Sequence, residues 1–322
     1  MRALVVRFSS LGDVILTTSV LPSLKEAGFE VSFLTFKPFG EVLRGQPFVD
    51  RVIEVERQKL KSFSDIKQFA RELPPFDVGF DLHDVLRTKV LRKLLPFRFY
   101  VYPKKALLRR LMVLFKPFKA KWLYVPELYA EALRKAGVEV ENPRPCLFID
   151  EPLKRRISRF VPENAVVVAP GARWKTKRYP IERFGRVVEL LKKEGFNPVV
   201  LGGKEEEEAG RFLESRGALS LCGKLSVMES VAAISLSLGV ISNDSAVVHM
   251  ARAVKRPVVA IFGPTHPAFG FAPYLDEGVA LTKNLPCSPC SLHGKTKCRE
   301  QKCFEIEPET VVEKLLSLVE SR

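Results

Sequence analysis

The run Gly171-Ala172-Arg173-Trp174-Lys175-Thr176-Lys177-Arg178 sets four cations behind a glycine and leads towards a helix expected to begin near Pro180. Glycine lets backbone approach a ligand, a helix start offers unpaired N–H groups, and cations counter phosphate charge. A diphosphate is the natural ligand for such a loop, with Lys177 or its neighbours meeting the charge of a leaving group. A basic surface turn would have the same composition. A second candidate is Asn243-Asp244-Ser245-Ala246-Val247-Val248-His249. Asp244 and Ser245 are helix-capping types. The same helix start presents donors to an anion, and a carboxylate there can hold sugar hydroxyls. His249 follows one turn later, where packing and chemistry are both open to it.

Three further groups carry possible chemistry. After Leu201-Gly202-Gly203-Lys204 come Glu205 to Glu208, acids placed where nucleotide-binding folds hold ribose hydroxyls, or where they simply suit a helix dipole. Residue type alone does not choose among them. Asp13 follows Phe8-Ser9-Ser10-Leu11-Gly12. In a first helical turn it would stabilise by about 0.3 to 1 kcal/mol; at a strand exit it could also serve as a general base. Cys287, Cys290, Cys298 and Cys303 have the spacing C-x2-C-x7-C-x4-C in a loop rich in Pro, Gly and Lys. They could hold structural zinc, pair as disulfides or remain thiols. Cys146 and Cys222 stand alone in apolar settings and read as core residues.

These residues need elements to position them. Ala3 to Val6 reads as a strand passing through a short loop into a helix over Val14 to Lys25, stopped at Gly28. Glu30 to Thr35, Val52 to Val55 and Val78 to Leu82 are further strands. A linker is expected around residues 145–163, which hold Pro145, Pro152 and the run Lys154-Arg155-Arg156. Beyond it, strands over Ala165–Ala169, Pro198–Leu201, Leu238–Ser242 and Val258–Phe262 alternate with helices over Pro180–Glu194, Val227–Ser237 and Ser245–Ala253. Such alternation indicates an α/β chain with parallel sheets, and its length suggests two domains, residues 1–150 and 151–322. Ligands then lie beyond the carboxyl ends of the strands.

Composition narrows the class. Apolar residues make up 46% and charged residues 28%, within the globular range. Arg7 interrupts the first apolar run too early for a secretory signal, and no run approaches the roughly 18 apolar residues of a membrane span. The formal charge is +15, and between Val85 and Pro126 twelve Lys/Arg occur with no Asp/Glu. Phe97, Phe99, Tyr100, Phe115, Phe118 and Trp122 are interleaved with them. Basic residues near an anionic leaflet gain about 1 kcal/mol each, and aromatics suit the headgroup zone. A nucleic-acid groove or a solvated helix face would use the same residues.

Taken together, Arg7-Phe8-Ser9-Ser10-Leu11-Gly12-Asp13-Val14, Pro170-Gly171-Ala172 with Lys177-Arg178-Tyr179-Pro180, Ser242-Asn243-Asp244-Ser245 with His249, and Phe262-Gly263-Pro264-Thr265 resemble the ADP-heptose:lipopolysaccharide heptosyltransferases of glycosyltransferase family 9. The resemblance implies a GT-B fold, two Rossmann-like doubly wound domains facing a cleft, with the acceptor on the first and the donor on the second. It implies inversion at the anomeric carbon with no cofactor required for catalysis. Asp13 would deprotonate the acceptor hydroxyl, with Ser10, Gly12, His83 and Arg87 on the acceptor side. Gly171, Lys177, Glu207, Asp244, Ser245, Ala246 and His249 would hold the ADP-sugar donor. The implied acceptor is a lipid-linked saccharide, the lipopolysaccharide core, met by a cytoplasmic protein peripheral to the inner face of the inner membrane. The chain departs from the family in two places: His83 stands where Gln is common, and Tyr179 where Trp is frequent. Two other classes compete. A nicotinamide-dependent oxidoreductase would share the fold, but GxGxxG is absent. A basic nucleic-acid-binding protein would explain the charge and leave Asp13 and Asp244 without purpose.

Overall fold

Short, β-branched apolar runs become the strands of two all-parallel sheets, because strands covered by helices on both faces must be apolar throughout. The computed structural model describes residues 1–115, 122–296, 298 and 300–321. The chain divides into two units, Met1–Lys104 with Val125–Phe148, and Lys105–Tyr124 with Ile149–Arg322. The division thus falls near residue 148, while residues 105–124, expected in the first domain, cluster with the second.

The first unit has β1 (Arg2–Val6), β2 (Glu30–Phe36), β3 (Arg51–Val55), β4 (Val78–Asp81) and β5 (Arg98–Val101), in the order β3-β2-β1-β4-β5. Its helices are α1 (Leu11–Thr17), α2 (Leu21–Glu26), α3 (Phe63–Glu72), α4 (Leu86–Leu94) and, after α5 (Ala106–Leu114) of the second unit, α6 (Val125–Arg134). Leu4, Val6, Phe8, Leu34, Phe36 and Leu91 are among the buried core residues. The single helix expected over Val14–Lys25 is two. Thr17, Thr18 and Ser19 turn their hydroxyls onto the carbonyls of Val14, Ile15 and Leu16, and Pro22 supplies no N–H to continue the ladder.

The longer segment of the second unit opens with α7 (Glu151–Ser158), inside the stretch read from sequence as linker. Asp150 caps it through Leu153 N at 2.8 Å, Pro152 suits its first turn, and Ile157 is buried. Then follow β6 (Ala165–Ala169), α8 (Ile181–Lys193), β7 (Asn197–Val200), α9 (Glu207–Glu214), β8 (Leu219–Ser220), α10 (Val227–Leu236), β9 (Gly239–Asn243), α11 (Ala246–Ala253), β10 (Val258–Ile261), β11 (Gly278–Leu281) and α12 (Pro308–Glu320). The sheet order is β11-β10-β9-β6-β7-β8. Numbered from the first strand of each unit, the orders are 3-2-1-4-5 and 3-2-1-4-5-6, the doubly wound Rossmann arrangement. Cys222 is core as expected, while Cys146 is half-buried, its backbone N donating to Thr18 Oγ1 at 2.9 Å. Among the described residues no helix is long and apolar enough to cross a membrane.

Candidate active site

In each unit, candidate residues converge where the winding of the sheet reverses. The first reversal lies between β1 and β4, whose exits carry Arg7–Asp13 and Leu82–Arg87. Arg7 is buried and bridges both exits. Its Nη1 donates to Leu82 O at 2.7 Å, its Nε to Ser9 O at 2.8 Å, and its Nη2 lies 2.6 Å from Asp13 Oδ1. Asp13 Oδ2 accepts from Ser10 N at 3.1 Å and Ser10 Oγ at 2.8 Å. Burial alone would push the Asp13 carboxyl up, but the Arg7 charge and the Ser10 hydrogen bonds outweigh it and hold the group below the usual carboxylate range. Asp13 is therefore an ionised acid with both oxygens occupied, tied to a buried cation as well as to a helix start.

His83 completes this cluster. Its Nδ1 accepts from Phe8 N at 3.3 Å, and burial, then the Arg7 charge, pull its pKa down to about 3. The ring is neutral at physiological pH. Of the other residues placed on this side, Gly12 is buried within α1 and Arg87 is anchored by Nε to Leu60 O at 2.7 Å. Sequence reasoning missed the role of Arg7, although a cation interrupting an apolar strand was its visible signal.

The second reversal lies between β6 and β9. Buried Asn243, at the end of β9, clamps both ends of the cationic loop: its Nδ2 donates to Pro170 O at 2.7 Å and its Oδ1 accepts from Tyr179 N at 2.9 Å. Within that loop Lys177 closes a 3-10 turn, Lys175–Lys177, and its Nζ lies 2.5 Å from Asp244 Oδ2. The same oxygen accepts from Thr265 Oγ1 at 2.7 Å. Ser245 caps α11, accepting from Val247 N at 3.3 Å, so Ala246 is the first residue of that helix. His249 is buried on α11, its ring 6.3 Å from that of Phe271. Tyr179 is buried in the core beside Phe184 and Phe304, its hydroxyl donating to Ile306 O.

The acidic run resolves into different roles. Glu206 faces the Gly171 loop: its Oε1 is 3.1 Å from Arg178 Nη2, its Oε2 accepts from Gly203 N at 3.0 Å, and a Cβ on Gly171 would come within 2.9 Å of its side chain. Glu207, the first residue of α9, is exposed beside Gly223; its backbone N donates to Lys204 O, and its side chain makes no hydrogen bond or ion pair among the described residues. Asn243 and Thr265 stand in motifs without an assigned role, and Glu206 is one of four acids among which residue type does not choose; the motifs were visible, the partners were not.

All four late cysteines are free thiols. The Cys303 thiol is pushed up to about 11, by burial first and then by neighbouring Cys290, Cys298 and Cys287, so the four share one locality. Among the described residues no group of three or more His, Cys, Asp or Glu is gathered closely enough to hold a metal ion.

In the basic stretch, Lys104 Nζ donates to the His83 and Asp84 carbonyls, and Arg109 Nε to Phe269 O. Lys105 and Arg110 are exposed. Phe118, Lys116, Lys119 and Lys121 fall outside the described residues.

The chain is similar over its whole length to the solved structure of Escherichia coli ADP-heptose lps heptosyltransferase II, with TM-score 0.75, 20% identity, and 100% and 99% of the two chains covered. That likeness shows the GT-B fold. It is 26% identical over 320 residues to lipopolysaccharide heptosyltransferase 1 of Pseudomonas aeruginosa, covering 90% of this chain and 86% of that protein. It is 30% identical over 162 residues to lipooligosaccharide heptosyltransferase 2 of Haemophilus influenzae, and there it spans just under half, 46%, of the relative. The family model for glycosyltransferase family 9 (heptosyltransferase) matches residues 106–303. With more than half of the chain matched and both strand-exit clusters in place, the chain belongs to glycosyltransferase family 9.

Proposed function

We propose that the chain transfers a heptose from ADP-heptose to a lipid-linked saccharide, the inner core of lipopolysaccharide, with inversion at the anomeric carbon. The observation that carries this reading is the Lys177–Asp244 pair at the β6/β9 reversal, 2.5 Å apart and next to the start of α11. A diphosphate arriving there replaces Asp244 as the partner of Lys177, and the freed carboxylate turns to sugar hydroxyls. The N–H groups of Ser245 and Ala246 meet the phosphates, Gly171 leaves room beside them, Glu207 takes the ribose, and His249 backs the pocket.

The first unit supplies the base. Asp13, held ionised, takes the proton of the acceptor hydroxyl, and that oxygen forms a bond to the anomeric carbon. The bond to ADP breaks with its electron pair on the departing phosphate, whose charge Lys177 and the α11 amides stabilise. Ser10, Gly12, His83 and Arg87 shape the acceptor side. In the second unit, Cys287, Cys290, Cys298 and Cys303 form a structural unit with no part in the chemistry.

Membrane contact is assigned to α5, which exposes Leu107 and Leu114 with Lys105 and Arg110, an amphipathic surface suited to anionic headgroups on the cytoplasmic face. No nucleic-acid partner is invoked. The test is calorimetric titration with ADP, UDP and GDP, followed by transfer from ADP-heptose to heptose-free core lipid. Preference for ADP and product with inverted configuration are expected; equal or absent binding of the three nucleotides overturns the reading.

A further inference from the structure

The cysteine-bearing loop packs directly on the lysine assigned to the donor. Gly294 has φ +92°, and a Cβ there would lie 2.4 Å from Lys177 Cγ and Cδ, so only glycine lets this backbone run along the lysine stem. Beside it, Thr176 Oγ1 donates to Gly294 O, and Lys295 Nζ sits 5.7 Å from the centre of the Trp174 ring. The other flank of the same loop is fixed near Asp244. Cys290 N and Ser291 N donate to Pro264 O at 2.9 and 3.2 Å, and the next residue, Thr265, hydrogen-bonds Asp244. The loop therefore braces both members of the ion pair.

A lysine stem has several rotors, and confining them before a ligand arrives removes an entropic cost from binding. We propose that the segment around Gly294 is a positioning element of the donor site, presetting Lys177 for the diphosphate. Gly294 and Thr176 act through Lys177 and touch no reacting atom. The proposal rests on the donor-site reading above and adds a residue set to it.

The test is a double-mutant cycle on the full chain, read as the ADP dissociation constant. Gly294→Ala is expected to weaken ADP about ten-fold and Thr176→Val a few-fold, whereas in a Lys177→Ala background neither adds to the loss. Thr176→Val keeps the glycine, so the cycle survives if Gly294→Ala folds poorly. Parent-like affinity in both single variants overturns the proposal, as does an equal further loss in the Lys177→Ala background, which would mark a general effect on the fold. A parent chain that does not bind ADP removes the donor reading and this inference together, an outcome distinct from the other two.

Discussion

The two reversal points hold the same kind of object, an acid beside a cation, but assemble it differently. In the first unit Arg7 and Asp13 lie six residues apart on one strand exit, and both oxygens of the acid are taken by Arg7 and Ser10 of that exit. In the second, Lys177 and Asp244 come from the exits of different strands, 67 residues apart in sequence, and among the described residues their charges meet only each other's side chain, with Thr265 on the same Asp244 oxygen. A closed pair keeps a carboxylate charged and oriented. An open pair can be parted by a ligand carrying the charge that each member prefers. A base needs the first property and a phosphate site the second.

The sharpest way to break the comparison is Asp13→Asn. Loss of a general base lowers turnover roughly 10² to 10⁴-fold. The same change leaves Arg7 a buried charge without its partner, so stability falls as well, by up to about 3 kcal/mol. Turnover must then be counted per folded molecule, using ADP binding by the second unit as the count. Normal turnover on that scale would make Asp13 purely structural. The pH dependence follows from the same pair: because Asp13 titrates below the usual carboxylate range, activity persists as pH falls past that range, whereas the stabilising contribution is complete above the ordinary value, declines below it as the unfolded chain takes up a proton, and is gone beneath the depressed value.

The open pair predicts asymmetry. Lys177→Ala removes a charge-assisted contact worth about 1.5 to 3 kcal/mol, or roughly ten- to a hundred-fold in ADP affinity. Asp244→Asn frees Lys177 instead, so ADP binding is retained or tightened while turnover drops. Calorimetry on the two variants checks this; parallel losses of ADP affinity would show that the pair does not part.

His83 sharpens the first site. Its folded pKa is about 3 against an ordinary value of 6.5, so between these limits the unfolded chain takes a proton that the folded chain refuses. Stability therefore falls as pH drops below about 6.5, by up to ~2 kcal/mol at pH 5. His83→Gln keeps an acceptor for Phe8 N and removes the titration, so denaturant curves at pH 5 and pH 7.5 should converge relative to the parent. An unchanged difference would place the acid sensitivity elsewhere.

Strand exits were legible because β-branched runs end at glycine, serine or aspartate with little ambiguity. Asp13, Lys177 and Asp244 stood out on that basis. What stayed hidden depended on through-space partners. Nothing in sequence spacing says that Arg7 meets Asp13 across a bend, or that Asn243 ties Pro170 to Tyr179. Glu206 closes a 3-10 turn and Glu207 opens α9, and that single step along the chain separates the clamped acid from the exposed one. The split after Thr17 and the helix at Glu151 were missed for related reasons: hydroxyl-to-carbonyl bonds and a single aspartate cap overrode local composition.

The smallest expected effect concerns α5. Four cations of the basic stretch looked equivalent in sequence, yet Lys104 and Arg109 are spent on carbonyls of the fold while Lys105 and Arg110 are exposed beside Leu107 and Leu114. Each exposed cation near an anionic surface contributes about 1 kcal/mol, and the contribution is screened as salt rises. Lys105→Gln with Arg110→Gln should therefore lower sedimentation with phosphatidylglycerol vesicles several-fold at low salt, and by much less at high salt. Lys104→Gln with Arg109→Gln should instead lower the melting temperature with little change in vesicle binding per folded molecule. If both pairs lose vesicle binding equally, charge alone draws the chain to lipid; if neither does, the exposed face of α5 is a solvated surface.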